Sequence, residues 1–272
     1  MCPNCRAFIT VDDRVCPYCE AKLGQRAIDR RMPSDVLGGL IPGARFTTVI
    51  ILTANLGLYV AMMLYSMQGG KGGALMDLDG QTLYAFGAKF GRQLAAGQWW
   101  RMITAGFLHG GLMHLLMNSW ALFDLCTHAE EALGTPRLIV IYVVSTVTGF
   151  VGSMYWSASL SVGSSAAIFG LIGAMIAYGK QYRTSYGEAV RAYYARWAIY
   201  GLLFGLLPLP IDNAAHLGGL AGGFAVSWIA GPPRLVEELW KERFWRYASW
   251  VCLAVTLVAF GEMFFSFLSM GP

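Results

Sequence analysis

Charge is the most telling shortage in this chain. Asp, Glu, Lys and Arg make up 13% of its 272 residues, while hydrophobic residues make up 56%. A soluble globular protein carries roughly a quarter charged residues. The missing charge lets apolar segments run uninterrupted, which points to an all-α polytopic membrane protein. The net charge of +4, from 20 Lys and Arg against 16 Asp and Glu, is too mild for a nucleic-acid binder, so no nucleic-acid partner is expected. The first residues, Met-Cys-Pro-Asn-Cys, have no basic flank leading into an apolar core. No cleavable signal peptide is therefore expected, and the N-terminus should stay in the cytosol. There are also no paired inverted repeats and no helices broken at mid-membrane, which argues against a transporter or channel.

Cysteine is sparse but patterned. Cys2-Pro-Asn-Cys5 and Cys16-Pro-Tyr-Cys19 are two CxxC pairs within residues 1–23. Four thiolates at that spacing can wrap one Zn²⁺ tetrahedrally as a structural site. Disulfides or a redox motif are the other readings, since CPYC also occurs in glutaredoxin-like sites, but a redox fold needs a βαβ frame much longer than this segment. Residues 1–23 are expected to form a zinc-ribbon-like module that folds only around its metal. It could recruit a cytosolic protein partner. Cys126 and Cys252 sit in or beside apolar segments as packing residues.

A basic linker, 24–45, precedes a membrane core at 46–230, and a cytosolic loop with a seventh helix fills 231–272. Spans near the roughly 20 residues a bilayer demands are expected at 47–67, 102–125, 138–156, 163–182, 194–209, 214–229 and 249–268. With the N-terminus inside, sixteen Lys and Arg fall on the inner side and four on the outer, which sets the N-terminus in and the C-terminus out. The loop 68–101 carries Phe86, Phe90, Trp99 and Trp100, which suggests an interfacial position. Glu262 is an ionisable group in an apolar helix with no evident partner.

In that topology the second, fourth and sixth spans run from outside to inside, so depth is comparable by counting from each start. Ser165 and His216 then lie at similar, shallow depth on two parallel helices. Gly219 and Gly223, with Gly170 and Gly173, permit the close helix approach that a Ser–His hydrogen bond of about 2.6–3.2 Å requires. His114 and Asn118 share one face of the second span. Neutral donors beside a nucleophile are what an oxyanion in acyl transfer needs. His109 lies nearer the outer surface, and His128 reads as interfacial. Each residue alone has a plainer reading: small-residue packing for Ser165, helix glue for Asn118. A metal site from His109, His114 and His216 lacks a carboxylate ligand.

Several separate motifs together resemble the rhomboid family of intramembrane serine proteases. They are "WWR" at 99–101, "HGGLMHLLMN" at 109–118, "EEALG" at 130–134, "GSSAAIFG" at 163–170 and "AHLGGLAGG" at 215–223. The resemblance implies a six-helix core plus one further transmembrane helix. It selects Ser165, the serine of Gly-x-Ser, as nucleophile and His216 as general base. His114, Asn118 and the Ser165 backbone N–H would hold the oxyanion. It implies that Phe169 packs on the imidazole and that a dyad works without a carboxylate. One departure stands out. The family usually has glycine after the serine and this chain has Ala166, whose methyl is expected to narrow the oxyanion region or the substrate pocket. The activity implied is hydrolysis of a peptide bond in or near the transmembrane segment of single-pass membrane proteins in the lipid bilayer. No cofactor is expected for the catalysis, and the expected location is a bacterial inner membrane. The alternative is a catalytically silent relative that binds transmembrane clients.

Overall fold

The computed structural model describes residues 5, 15–20, 46–69, 73, 75–156, 159–231 and 239–269. The chain divides into two compact units, Met1–Phe46 and Thr47–Pro272. In the first, residues 15–20 make a tight turn in which the Glu20 amide donates to the Cys16 carbonyl at 2.9 Å. Cys2 and the linker 24–45 lie outside the described residues.

The second unit is helical. The helices are α1 (Phe46–Gln68), α2 (Gly80–Ala85), α3 (Gly91–Ala95), α4 (Arg101–Thr104), α5 (Leu112–Leu133), α6 (Thr135–Trp156), α7 (Ser165–Gln181), α8 (Ser185–Phe204), α9 (Asn213–Ala230) and α10 (Leu239–Ser269). Among the described residues there is no β-strand, only isolated antiparallel bridges such as Lys89–Ser161. Among the described residues three helices, Phe46–Gln68, Thr135–Trp156 and Trp240–Ser269, are long and apolar enough to cross a membrane.

Helices α1, α6, α7 and α9 match the expected spans closely. The second span is displaced: 102–125 was expected, and α5 covers Leu112–Leu133. Residues 101–107 form α4 and a 3₁₀ turn instead. The helix continues to Leu133 because Cys126, Ala129 and Leu133 pack into the core. Glu130 is also held there by the Thr47 and Thr135 hydroxyls, each at 2.7 Å. The fifth span likewise starts earlier than 194. Thr184 caps α8 by accepting the Gly187 amide at 3.2 Å, a favourable helix start, and α8 ends at Phe204, before Pro208. The seventh span begins ten residues before the expected 249, where Glu242 pairs with the buried Arg137 at 2.8 Å.

α7 is the hub. From Ala166 to Gly179 only Ile176 escapes full burial. The glycines of α9 serve two neighbours. A Cβ on Gly219 or Gly223 would collide with the α7 backbone at Ala166 or Gly170, and one on Gly218 or Gly222 would collide with α6 at Thr148. Successive contacts advance together along α7 and α9 and in opposite senses along α6 and α9, so α7 and α9 run parallel.

The α1–α5 connection is a folded cap. Leu78, Leu83, Ala88, Leu108 and Leu115 cluster with Tyr59 and Met62 of α1. Trp100, expected at the interface, is instead 4% exposed within the main core, while Trp99 is 43% exposed. Arg101 is wholly buried. It donates to the Tyr84 and Ala88 carbonyls at 2.9 and 3.0 Å and to Gln98 Oε1 at 2.6 Å. Its guanidinium lies 4.5 Å from the ring centroids of both Tyr84 and Trp100. Burial pushes its pKa down and Tyr84 opposes that. The buried charge is thus satisfied by hydrogen bonds and ring faces.

Candidate active site

Three serines precede or open α7. Ser161 and Ser164 are buried, and only Ser165 is half-exposed. Gly163 has φ +129°, a conformation that favours glycine. A Cβ there would also stand 2.8 Å from the His114 ring. The first glycine of the motif therefore serves both backbone geometry and the approach of His114 to the serine turn. Ser165 occupies the first turn of α7, where backbone amides have no intrahelical acceptor and the helix dipole favours negative charge.

His216 lies in the first turn of α9. Its Nε2 is 3.0 Å from Ser165 Oγ. The imidazole stacks on Phe169, with centroids 4.2 Å apart and planes at 10°. His216 Nδ1 has no hydrogen-bond partner among the described residues. Asp212 lies one turn earlier, but its carboxylate accepts the Ala215 amide at 3.0 Å and the Ser153 hydroxyl.

On α5, His114 Nδ1 accepts the Gly110 amide at 3.4 Å, which leaves the proton on Nε2, the nitrogen nearest Gly163. The Asn118 amide donates to the His114 carbonyl at 2.9 Å, and its Oδ1 is buried with no partner among the described residues. The structure therefore gathers Ser165, His216 and His114 around the start of α7, with Asn118 one turn behind His114.

Ala166 departs from expectation. Its methyl faces α6, where a Cβ added to Gly149 would lie 2.7 Å from it. The residue is 1% exposed, so the extra methyl fills a helix seam.

Asn55, on α1, is a further participant that carries no recognisable signal in the sequence. Ser164 Oγ lies 3.2 Å from His109 Nε2 and accepts from Asn55 Nδ2 at 3.4 Å. All three are wholly buried, which makes a polar nest behind the serine turn. His128 is exposed and pairs with Asp124 at 3.7 Å. Glu262 is exposed on α10.

In the N-terminal unit, the sulfurs of Cys5, Cys16 and Cys19 lie within 4.8 Å of one another, with Cys5 Sγ and Cys16 Sγ 3.6 Å apart. Three converging thiols fit a metal ion. The fourth expected ligand, Cys2, is outside the described residues.

A helical membrane bundle that holds a Ser–His pair at the start of two parallel, glycine-packed helices defines a class, and comparison with known proteins agrees with it. Residues 96–233 match the Rhomboid domain family. Rhomboid protease GluP of Bacillus subtilis (strain 168) is 36% identical over 165 residues, covering 59% of this chain and 32% of that protein. RHOMBOID-like protein 7 of Arabidopsis thaliana is 32% identical over 204 residues, covering 66% and 64%. The protein named "Putative rhomboid protease YdcA" of Bacillus subtilis (strain 168) is 31% identical over 186 residues, covering 67% and 86%. This chain belongs to the rhomboid family and is an integral membrane protein. It matches about a third of GluP and just under two thirds of the plant protein.

Proposed function

We propose that the protein is an intramembrane serine endopeptidase working by a Ser165–His216 dyad. The observation that carries this reading is the 3.0 Å contact between Ser165 Oγ and His216 Nε2. His216 takes the Ser165 proton as Oγ attacks the scissile carbonyl and then passes it to the leaving amine. Water hydrolyses the acyl-enzyme with the imidazole again as base. The tetrahedral oxyanion is held by the Ser165 backbone N–H, His114 Nε2–H and the Asn118 side-chain amide. These donors sit at the start of α7 and on the first turns of α5, so charge develops at a helix N-terminus.

The substrates are single-pass transmembrane proteins, cleaved in or near the span on the outer side, with N-terminus in and C-terminus out as the Lys and Arg distribution supports. A helical peptide bond is shielded by its own backbone, so small or helix-breaking residues at the cleavage site favour hydrolysis. The layout is a module at 1–23, a linker at 24–45, a six-helix core at 46–230, and a loop with the seventh helix at 231–272. Cys2, Cys5, Cys16 and Cys19 would hold a structural Zn²⁺ that orders the module, which is free to dock a cytosolic protein. A bacterial inner membrane is one host membrane, and the plant relatives make an organellar one equally admissible.

A fluorophosphonate probe tests the chemistry. Wild type should label and should cleave a transmembrane substrate, whereas Ser165→Ala and His216→Ala should lose at least about 10⁴-fold in rate. A wild type that binds transmembrane clients but never labels or cleaves would establish the silent alternative.

A further inference from the structure

Lys89 sits between α2 and α3 and has no exposed surface. A buried ammonium is tolerated only when hydrogen-bonded and electrostatically matched. Its Nζ donates to the carbonyls of Ser153, near the end of α6, and Ser159, in the α6–α7 loop, both at 3.2 Å. Its backbone exchanges two hydrogen bonds with Ser161, each 3.0 Å. Burial pulls its pKa down, and the negative charge of Asp212 opposes that pull.

Ser153 links the two charges. Its carbonyl accepts Lys89, and its hydroxyl donates to the Asp212 carboxylate. Asp212 in turn caps α9. Its carboxylate takes the Ala215 amide at 3.0 Å, and its carbonyl takes the His216 amide at 3.1 Å. Lys89 thus grips the segment leading to Gly163 and Ser165 with its backbone, and the first turn of α9 with its side chain through Ser153 and Asp212. Neither charge touches Ser165 Oγ or the imidazole.

We propose that Lys89 and Asp212, bridged by Ser153, are positioning residues that set the spacing of Ser165 and His216, so that the segment between α1 and α5 governs turnover of the dyad. The inference rests on the protease reading above. Lys89 is wholly buried and Asp212 is partly exposed, so losing Asp212 leaves the buried ammonium without its counter-charge, while losing both leaves no uncompensated buried charge. Packing alone would give additive losses.

The experiment uses full-length protein in detergent micelles. Wild type, Lys89→Met, Asp212→Asn, the double variant and Lys89→Arg are compared by fluorophosphonate labelling, by kcat and KM on a transmembrane peptide substrate, and by thermal unfolding. Each neutral single variant should lose about 10- to 100-fold in kcat, the scale of a small misplacement of reacting groups, with KM within about twofold of wild type. The double variant should be more active than either single, and Lys89→Arg should retain most of wild-type kcat. Additive losses, singles at wild-type kcat, or a change confined to KM overturn the inference. If Lys89→Met fails to fold, the comparison runs on Lys89→Arg and Asp212→Asn. Unchanged kcat in Asp212→Asn with wild-type KM then overturns it. A wild type that neither labels nor cleaves overturns the protease reading instead, which is a different result from an active wild type with additive variants.

Discussion

Replacing Phe169 by leucine isolates what orients the catalytic base. The phenyl ring lies one turn beyond Ser165 on α7 and stacks on His216 at 4.2 Å and 10°. Behind it, α8 approaches so closely that a Cβ on Gly201 would lie 2.6 Å from the ring, so Phe169 is clamped between α8 and the imidazole. His216 Nδ1 has no hydrogen-bond partner among the described residues, and the neighbouring Asp212 is already engaged. The stack is therefore the main restraint on imidazole rotation. An aromatic pair contributes about 0.5–1.5 kcal/mol beyond its buried area. If that energy holds the ring on Ser165, its loss lowers kcat by about twofold to tenfold, at about 1.4 kcal/mol per decade. Leucine keeps most of the apolar volume, whereas alanine would add a cavity worth about 3–5 kcal/mol of stability and confuse the result. The assay is the labelling rate by a fluorophosphonate together with kcat and KM on a transmembrane peptide, with the unfolding midpoint as control. Full activity in a folded Phe169→Leu protein would refute the argument. So would a loss beyond about a thousandfold, which approaches removal of the base itself.

Ala166→Gly should lower stability by about 0.5–1 kcal/mol and leave cleavage within about twofold, because the methyl faces Gly149. A large gain in rate, read in the same cleavage assay, would show that the methyl obstructs the site. Gly223→Val should drive α9 away from the α7 backbone at Gly170. The expected result is a stability loss of about 1–3 kcal/mol or more with slower labelling, both measured in micelles. Metal analysis should find roughly one zinc per chain in wild type and none in Cys16→Ser, with cleavage of a model transmembrane substrate intact.

Much of the site could be read from sequence because its chemistry is tied to glycine. Gly163, Gly170, Gly219 and Gly223 mark where backbones touch, and a histidine and a serine beside such contacts are forced together. The displaced start of α5 was not legible, because Met102–Phe107 is as apolar as a span and nothing local says that it turns. The extension of α5 to Leu133 rests on Glu130 meeting Thr47, 83 positions away. Asp212 could be read only as a helix cap, since its partner Ser153 is 59 residues distant. Lys89 looked like one more outer-loop cation, and its burial depends on carbonyls at the end of α6.

The helices that carry the chemistry are not the ones that length and hydropathy together pick out. Among the described residues, the helices both long and apolar enough to span are α1, α6 and α10. The candidate catalytic groups lie on α5, α7 and α9; α7 is apolar but only 17 residues long, while His114 and Asn118 on α5 and Asn213 and His216 on α9 interrupt the apolar run. This follows from the physics of the bundle. A helix that contributes hydroxyl, imidazole or amide groups to a wet cavity must place polar atoms inward, and one that approaches another backbone closely must replace large apolar residues with glycine. Both substitutions lower hydropathy. α7 tolerates them because protein surrounds it from Ala166 to Gly179, so its composition answers to its neighbours instead of to lipid. α10, whose apolar window is 6% buried, answers to lipid and carries no candidate catalytic group. In a membrane hydrolase built this way, the helices walled in by protein are the ones in which to look for the chemistry.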